Sequence, residues 1–270
     1  QAAVISQMTV GRVSRWIAPV AGLSVWLIVA LFANWLAPFD PFLVVGEGLR
    51  GPSFRHPLGT DLIGRDLLSG VIHGARTSAT IVIGVALIVI AVSFLIGLIS
   101  GFLGGVVDDV LMRVSEAFQV VPRFFLAIVA IAYFGSGVDK LILILGLTSW
   151  SGLARVIRAE TLSVRESAFV EAARLFGSGT LRTVFREILP NVLPTTSVYL
   201  MLLLSRVLLL EASLAFIGLS DPGSISWGYL AGSSQAYLRS AWWVALFPGL
   251  AILLAALCLT SLGDALGERK

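Results

Sequence analysis

The chain has 270 residues, of which 57% are hydrophobic and only 13% are charged. That is about half the ~25% charge of an ordinary soluble domain, which excludes a soluble globular chain and, being so apolar, a disordered one. The composition is that of an integral membrane protein. A single cysteine, Cys258, excludes an intrachain disulfide and a cysteine metal cluster, and a net charge of +3 says little until the basic residues are placed.

A helical span needs roughly 20 apolar residues. Taken along the chain, runs with few or no charges predict spans at 16–37, 77–105, 118–136, 139–156, 191–218 and 240–262, the third and fourth resting on the shorter uncharged runs 124–138 and 141–154 and the fifth carrying Arg206 and Glu211. The first is too long and too rich in Trp for a cleaved signal peptide. The third and fourth are separated by Gly135-Ser136-Gly137 and the Asp139-Lys140 pair, a turn that would sit badly inside a bilayer, so they read as a hairpin. Trp16, Trp35, Trp150, Trp227, Trp242 and Trp243 fall near span ends and read as interfacial anchors. The fold class is therefore an all-α integral membrane protein with six transmembrane helices in one domain.

With the N-terminus inside, twelve basic residues (among them Arg12, Arg15, Arg158, Arg269 and Lys270) fall on inner segments and six on outer ones. This excess places both termini in the cytoplasm. Two hydrophilic segments result, an outer loop at 38–76 and an inner segment at 157–190. In the inner one, Phe169, Ala172, Ala173 and Phe176 share a helix face within 164–176. Gly177 is a natural helix stop, and Thr180 caps a second stretch carrying Leu181, Val184, Phe185 and Ile188 at helical spacing. An apolar face on an inner helix needs cover, either from the protein's own helix ends or from a partner.

Glu171-Ala172-Ala173, Gly177 and Leu189-Pro190 resemble the EAA motif (E-A-A-x3-G-x9-I-x-L-P) of permease subunits in bacterial ABC importers. Glu187 stands where the motif has Ile, and Ile188 follows one place later, a variant similar to the dipeptide/oligopeptide/nickel branch. His56-Pro57-Leu58-Gly59-Thr60-Asp61, Gly64-Arg65-Asp66 and Leu68-Ser69 resemble that branch's outer-loop signature. Similar segments are Gly74-Ala75-Arg76, Gly101-Phe102 through Val107-Asp108, Glu211-Ala212-Ser213-Leu214, Ser226-Trp227-Gly228 and Gly263-Asp264-Ala265-Leu266. The loop at Asp221-Pro222-Gly223 looks shorter than in the branch, and Arg206 belongs to none of these patterns.

The resemblance implies a type I ABC importer permease fold with a cytoplasmic EAA coupling helix, in the inner membrane of a bacterium. It implies as partners a homologous second permease, two cytoplasmic ATPases and an extracytoplasmic solute-binding protein. Peptide cargo is implied first and nickel second. No G-x-x-x-x-G-K-[ST] phosphate loop occurs in the sequence, so no cofactor is expected on this chain, and ATP and Mg belong to the partner ATPases. The chain is then a non-catalytic subunit. Glu171 reads as an ATPase contact or as a solvated helix charge, the motif favouring the contact.

Beyond the motif, Gly97, Gly101 and Gly105 share a face of the second span and permit close packing, in this chain or against a partner. Arg206 and Glu211 are the charges deep in a span and are candidates for the translocation pathway. Five residues apart, they lie about 140° apart on a helix and should not pair. Glu211 reads first as a lock on the outer end of its span, and Arg206 as a pathway residue. In the outer loop Gly59, Thr60, Asp61, Gly64, Arg65 and Asp66 read as a turn network or a binding surface. His56 and His73 lack a third ligand and read as non-ligands. An intramembrane enzyme is set aside because both histidines lie outside the spans. An ion-coupled secondary transporter would need membrane acids, of which only Glu211 qualifies, and an internal repeat, of which none is evident. Nucleic-acid binding has no support, since the basic residues follow the membrane topology.

Overall fold

The computed structural model describes residues 2–221 and 223–268, so Pro222 of the outer loop and Arg269 and Lys270 of the inner basic set lie outside the described residues. Every regular element among the described residues is helical. The elements are α1 (Ala2–Leu31), α2 (Ala33–Leu36), α3 (Leu67–Leu103), α4 (Gly105–Val120), α5 (Arg123–Phe134), α6 (Val138–Arg165), α7 (Ala168–Leu175), α8 (Thr180–Arg182), a π-helical turn (Thr183–Ile188), α9 (Leu189–Phe216), α10 (Trp227–Ser233), a 3-10 turn (Gln235–Tyr237) and α11 (Trp242–Gly267).

Four helical stretches are long and apolar enough to cross a bilayer: α3, α6, Thr180–Phe216 and α11. The pair α4–α5, bent by 80°, raises the number to five, and the apolar part of α1, Arg15–Leu31, is shorter. A count of six therefore requires α1 and the bent pair each to make a crossing. The bend has a local cause. Pro122 cannot donate a backbone hydrogen bond and disfavours helical geometry before it, and Val121 is extended at φ −87° and ψ 126°.

Helix α3 starts at Leu67, ten residues before the uncharged run, because its first turns pack on protein rather than lipid. Asp66 caps it by accepting from the Ser69 backbone N–H at 2.8 Å. Arg76, which hydropathy assigns to a loop, instead ties off α1. Its guanidinium donates to the carbonyls of Ala30 (2.9 Å) and Leu31 (3.1 Å) and to Asn34 Oδ1 (2.9 Å), groups left open at that helix end.

The core is the α3–α6 pair. A Cβ on Gly97 would stand 2.7 Å from the Ala154 carbonyl oxygen and from Ile157 Cβ, and one on Gly101 would stand 2.6 Å from Thr161 Cβ. The glycine face thus has an intrachain neighbour at two of its three positions; Gly105 has nothing within 4 Å. Gly84 under Ile142 and Gly146 under Ile88 continue the seam outward. Against this pair packs α9, tied to α11 by Ser205 Oγ donating to the Ala256 carbonyl at 3.2 Å.

Two tryptophans assigned to the interface are core residues. Trp227 is 5% exposed, stacks on Trp26 with ring centres 5.3 Å apart, and donates to the Val71 carbonyl. Trp150 is 4% exposed against the edge of Phe118. Hydropathy could not separate these from Trp35 and Trp242, which are 84% and 52% exposed, because an indole suits either a bilayer interface or a core with a carbonyl in reach.

Candidate functional site

The inner segment is a short helical hairpin between α6 and α9. Its first arm is not one helix over 164–176. Helix α6 runs on to Arg165, Glu166 closes it, and Ser167 starts α7 with its carbonyl accepting from Val170 and Glu171. Gly177 has φ +83°, Ser178 N–H bonds back to Ala173, and Gly177 N–H to Arg174. This is the left-handed stop that reverses the chain. Glu171 is exposed in the first turn of α7, where a carboxylate suits the helix dipole, and Ala172 and Ala173 are half-buried. Leu189 is half-buried and Pro190 exposed in the first turn of α9.

Val170 and Ile188 are fully buried and pin the hairpin to the helix ends, whereas its tip turns apolar groups outward. Leu175 is 82% exposed, Phe176 92% and Leu181 73%. The sequence pattern placed Phe176 on the covered face; the stop at Gly177 swings it to the tip. Two arginines, one at the end of α6 and one on α7, hold this region to the inner end of α3. Arg165 Nη1 donates to the Phe102 carbonyl at 3.0 Å, and the Arg174 guanidinium lies 5.1 Å from the centre of the Phe102 ring.

Beside it is a charge cluster that the motif reading passed over. Asp108, in the first turn of α4, accepts from Arg158 Nε and Nη2 at 2.5 Å each and from Ser100 Oγ. One carboxylate thus joins α3, α4 and α6. The sequence signal was Asp108 within the segment resembling the end of the second span; Arg158, fifty residues on, gave none.

Arg206 and Glu211 lie on different sides of α9 and do not meet. Glu211 is 2% exposed, and Ser226 Oγ donates to its Oε1 at 2.7 Å while accepting from the Tyr229 backbone N–H as the cap of α10. Glu211 Oε2 has no hydrogen-bond partner among the described residues. The side chain borders a cavity of about 10 Å³, also lined by Thr77, Ser136, Asp221 and Ser224. Arg206 is exposed and forms no ion pair among the described residues.

The outer-loop residues form a turn network over the start of α3. Asp66 takes His56 Nδ1–H at 2.9 Å on one oxygen and both the N–H and Oγ of Ser69 on the other. Asp61 Oδ1 accepts from the backbone of Ile63 and Arg65. Thr60 Oγ1 donates to the Glu47 carbonyl and accepts from Arg50 N–H, and its own carbonyl accepts from Trp243 Nε1 at 3.3 Å. Gly64, at φ +86°, passes so close to residue 46 that a Cβ would stand 2.1 Å from the Gly46 carbonyl oxygen. Gly59 is likewise left-handed, at φ +83°, and Arg65 lies over the Phe42 ring at 5.6 Å.

Residues 93–270 match the model of the binding-protein-dependent transport system inner membrane component, about two thirds of the chain. The chain belongs to this family. It is 36% identical over 247 residues to a di/tripeptide transport system permease protein of Pseudomonas aeruginosa, covering 88% of this chain and 82% of that one. It is 36% identical over 252 residues to a putative peptide transport system permease protein of Brucella suis (92% and 85% covered). It is 32% identical over 257 residues to a glutathione transport system permease protein of Pectobacterium atrosepticum (93% and 85%). In fold it resembles a chain of the MetNI methionine ABC transporter in an inward-facing conformation. The TM-score is 0.63 at 14% identity, covering 75% of this chain and 97% of that one. The chain is thus an inner-membrane permease with an ABC importer fold, and the ion-coupled alternative falls away. Since the matched region starts at residue 93, it contains the hairpin and α9 but not the outer-loop network.

Proposed function

We propose that the chain is one of two transmembrane permeases in an ATP-driven importer of dipeptides and oligopeptides. A solute-binding protein delivers the cargo outside, and two cytoplasmic ATPases drive the cycle. The chain makes six crossings with both termini inside, α1 and the bent α4–α5 pair each supplying one. The related permeases are named for peptides and glutathione, so nickel is not favoured as cargo.

The hairpin α7–α8 is the coupling element. The observation that carries this is its apolar tip: Leu175, Phe176 and Leu181 are turned outward on a segment whose inner face is already buried by Val170 and Ile188. Such a tip fits a groove on a partner. ATP and Mg bind in the ATPases, and their closure moves the hairpin as a lever between two states of the permease pair. Glu171, on the solvent side of α7, contacts the ATPase, while Ala172 and Ala173 permit close approach. Arg174 of α7, together with Arg165 at the adjoining end of α6, contacts Phe102 and carries the motion to α3.

The reading is tested by co-expressing the chain with its second permease, its ATPases and its binding protein, then measuring peptide uptake into vesicles. Uptake that needs ATP and survives collapse of the proton gradient supports it. Uptake abolished by that collapse with ATP held high would overturn it.

A further inference from the structure

We infer that Arg206 is the point on the pathway that holds the free carboxylate of a peptide in transit, an inference that rests on the peptide-importer reading above. Arg206 lies 17 residues from the start of α9 and 10 from its end. At 1.5 Å per residue these are about 25 Å and 15 Å, which places Arg206 within the apolar stretch rather than at either end of the helix. An intramembrane charge faces a cavity, another protein or a ligand rather than lipid. This one is exposed on its own chain, whereas Glu211 is buried in it.

A groove of about 720 Å³ runs between the inner ends of α6, α9 and α11. Of the seven α9 residues in its wall, Thr195, Tyr199 and Leu202 fall within about 40° of Arg206 at ~100° per residue, while Leu193, Pro194, Ser197 and Val198 lie about 80° or more away. Arg206 does not line the groove itself but follows Leu202, its outermost α9 residue, by one helical turn. The lining residues carry no charge and are mainly apolar, and the volume lies within the ~300–1,000 Å³ of small-molecule sites. A carboxylate moving along such a wall meets one cation. A guanidinium binds a carboxylate through two parallel hydrogen bonds, and the apolar lining tolerates varied side chains. The one feature that every peptide with a free C-terminus presents is then read at Arg206, independently of its sequence.

The test uses the complete importer in liposomes. R206Q should lower dipeptide uptake at least tenfold while binding-protein-stimulated ATP hydrolysis stays within twofold of wild type, and R206K should keep about half of the uptake. Uptake by R206Q within twofold of wild type overturns the inference. So does loss of the second permease on purification, which would make Arg206 an ion-pair partner of that subunit. A second measurement needs no transport. In the detergent-solubilised complex, with Arg206 kept, L202C in a C258A background is labelled with a cationic methanethiosulfonate. A millimolar dipeptide should slow labelling at least threefold and its C-terminal amide should not; equal effects of the two, or none, overturn the inference. Failure of the importer reading is seen separately, as a wild-type complex without ATP-dependent uptake.

Discussion

Asp108 receives Arg158 through two parallel bonds of 2.5 Å, across fifty residues of sequence, and thereby fixes the start of α4 to the inner third of α6. Ser100 of α3 completes the junction. The hairpin hangs from the end of α6 a few residues further on, so the junction sets the frame on which it moves. The Asp108 side chain is 10% exposed and Arg158 33%, which places the pair between a surface and a buried ion pair. D108N should therefore cost roughly 1–3 kcal/mol of stability. A thermal melt of the detergent-solubilised protein would show a lowered midpoint, and a midpoint equal to wild type would remove the structural role assigned here.

Gly177 and Glu171 bear on coupling rather than folding. Nothing lies within 4 Å of a Cβ at Gly177, so a side chain fits, but at φ +83° it costs about 1–2 kcal/mol of backbone strain and loosens the turn. G177D and E171K should insert normally and still bind the ATPases, yet lose most peptide uptake while ATP hydrolysis continues. Paired measurements of hydrolysis and uptake in one preparation check this. A variant that assembles and transports at the wild-type rate would mean that the hairpin tip is not the lever.

How much of this was legible in the sequence varies with the range of the interaction. The stop at Gly177 and the separate faces of Arg206 and Glu211 follow from local periodicity and could be read directly. The break at Pro122 was also written locally, but a hydropathy count has no term for a bend. The Asp108–Arg158 junction, the capping of α1 by Arg76 and the burial of Trp150 and Trp227 each depend on a residue 46 or more positions away or on another helix. No window along the chain contains that information. The apolar exposure of α7 and α9 is not accounted for by any contact within this chain, so no reading of its own packing explains it.

Ser226 does two jobs for α10, donating to Glu211 and accepting from Tyr229 N–H. S226A removes both and leaves a buried carboxylate with neither oxygen bonded, whereas S226T keeps the hydroxyl. The cap alone accounts for about 1 kcal/mol and the orphaned acceptor for a further 1–3. S226A should then lower the melting midpoint more than E211Q, which preserves an acceptor for the serine. The ranking of the two midpoints is the check, and E211Q melting lower than S226A would place the main role of Glu211 elsewhere than under α10.

The sharpest packing test lies along the α3–α6 seam. At Gly97 a Cβ would stand 2.7 Å from a backbone carbonyl of α6, and backbone cannot turn aside as a side chain can. Even G97A must push the two helices apart, at a cost of about 1–3 kcal/mol, and G97L should abolish stable expression. Gly105 opens α4, past the break at Gly104 that ends α3, and meets nothing, so its φ of +58° is the only objection to a side chain there. G105N, with a residue that tolerates left-handed backbone, should be nearly neutral. Fluorescence size-exclusion profiles of G97A, G97L and G105N separate the cases, because packing against a second permease at both positions would make G105N as damaging as G97A. A clean profile for G97L would mean that α3 and α6 do not touch at Gly97, and the core described here would have to be redrawn.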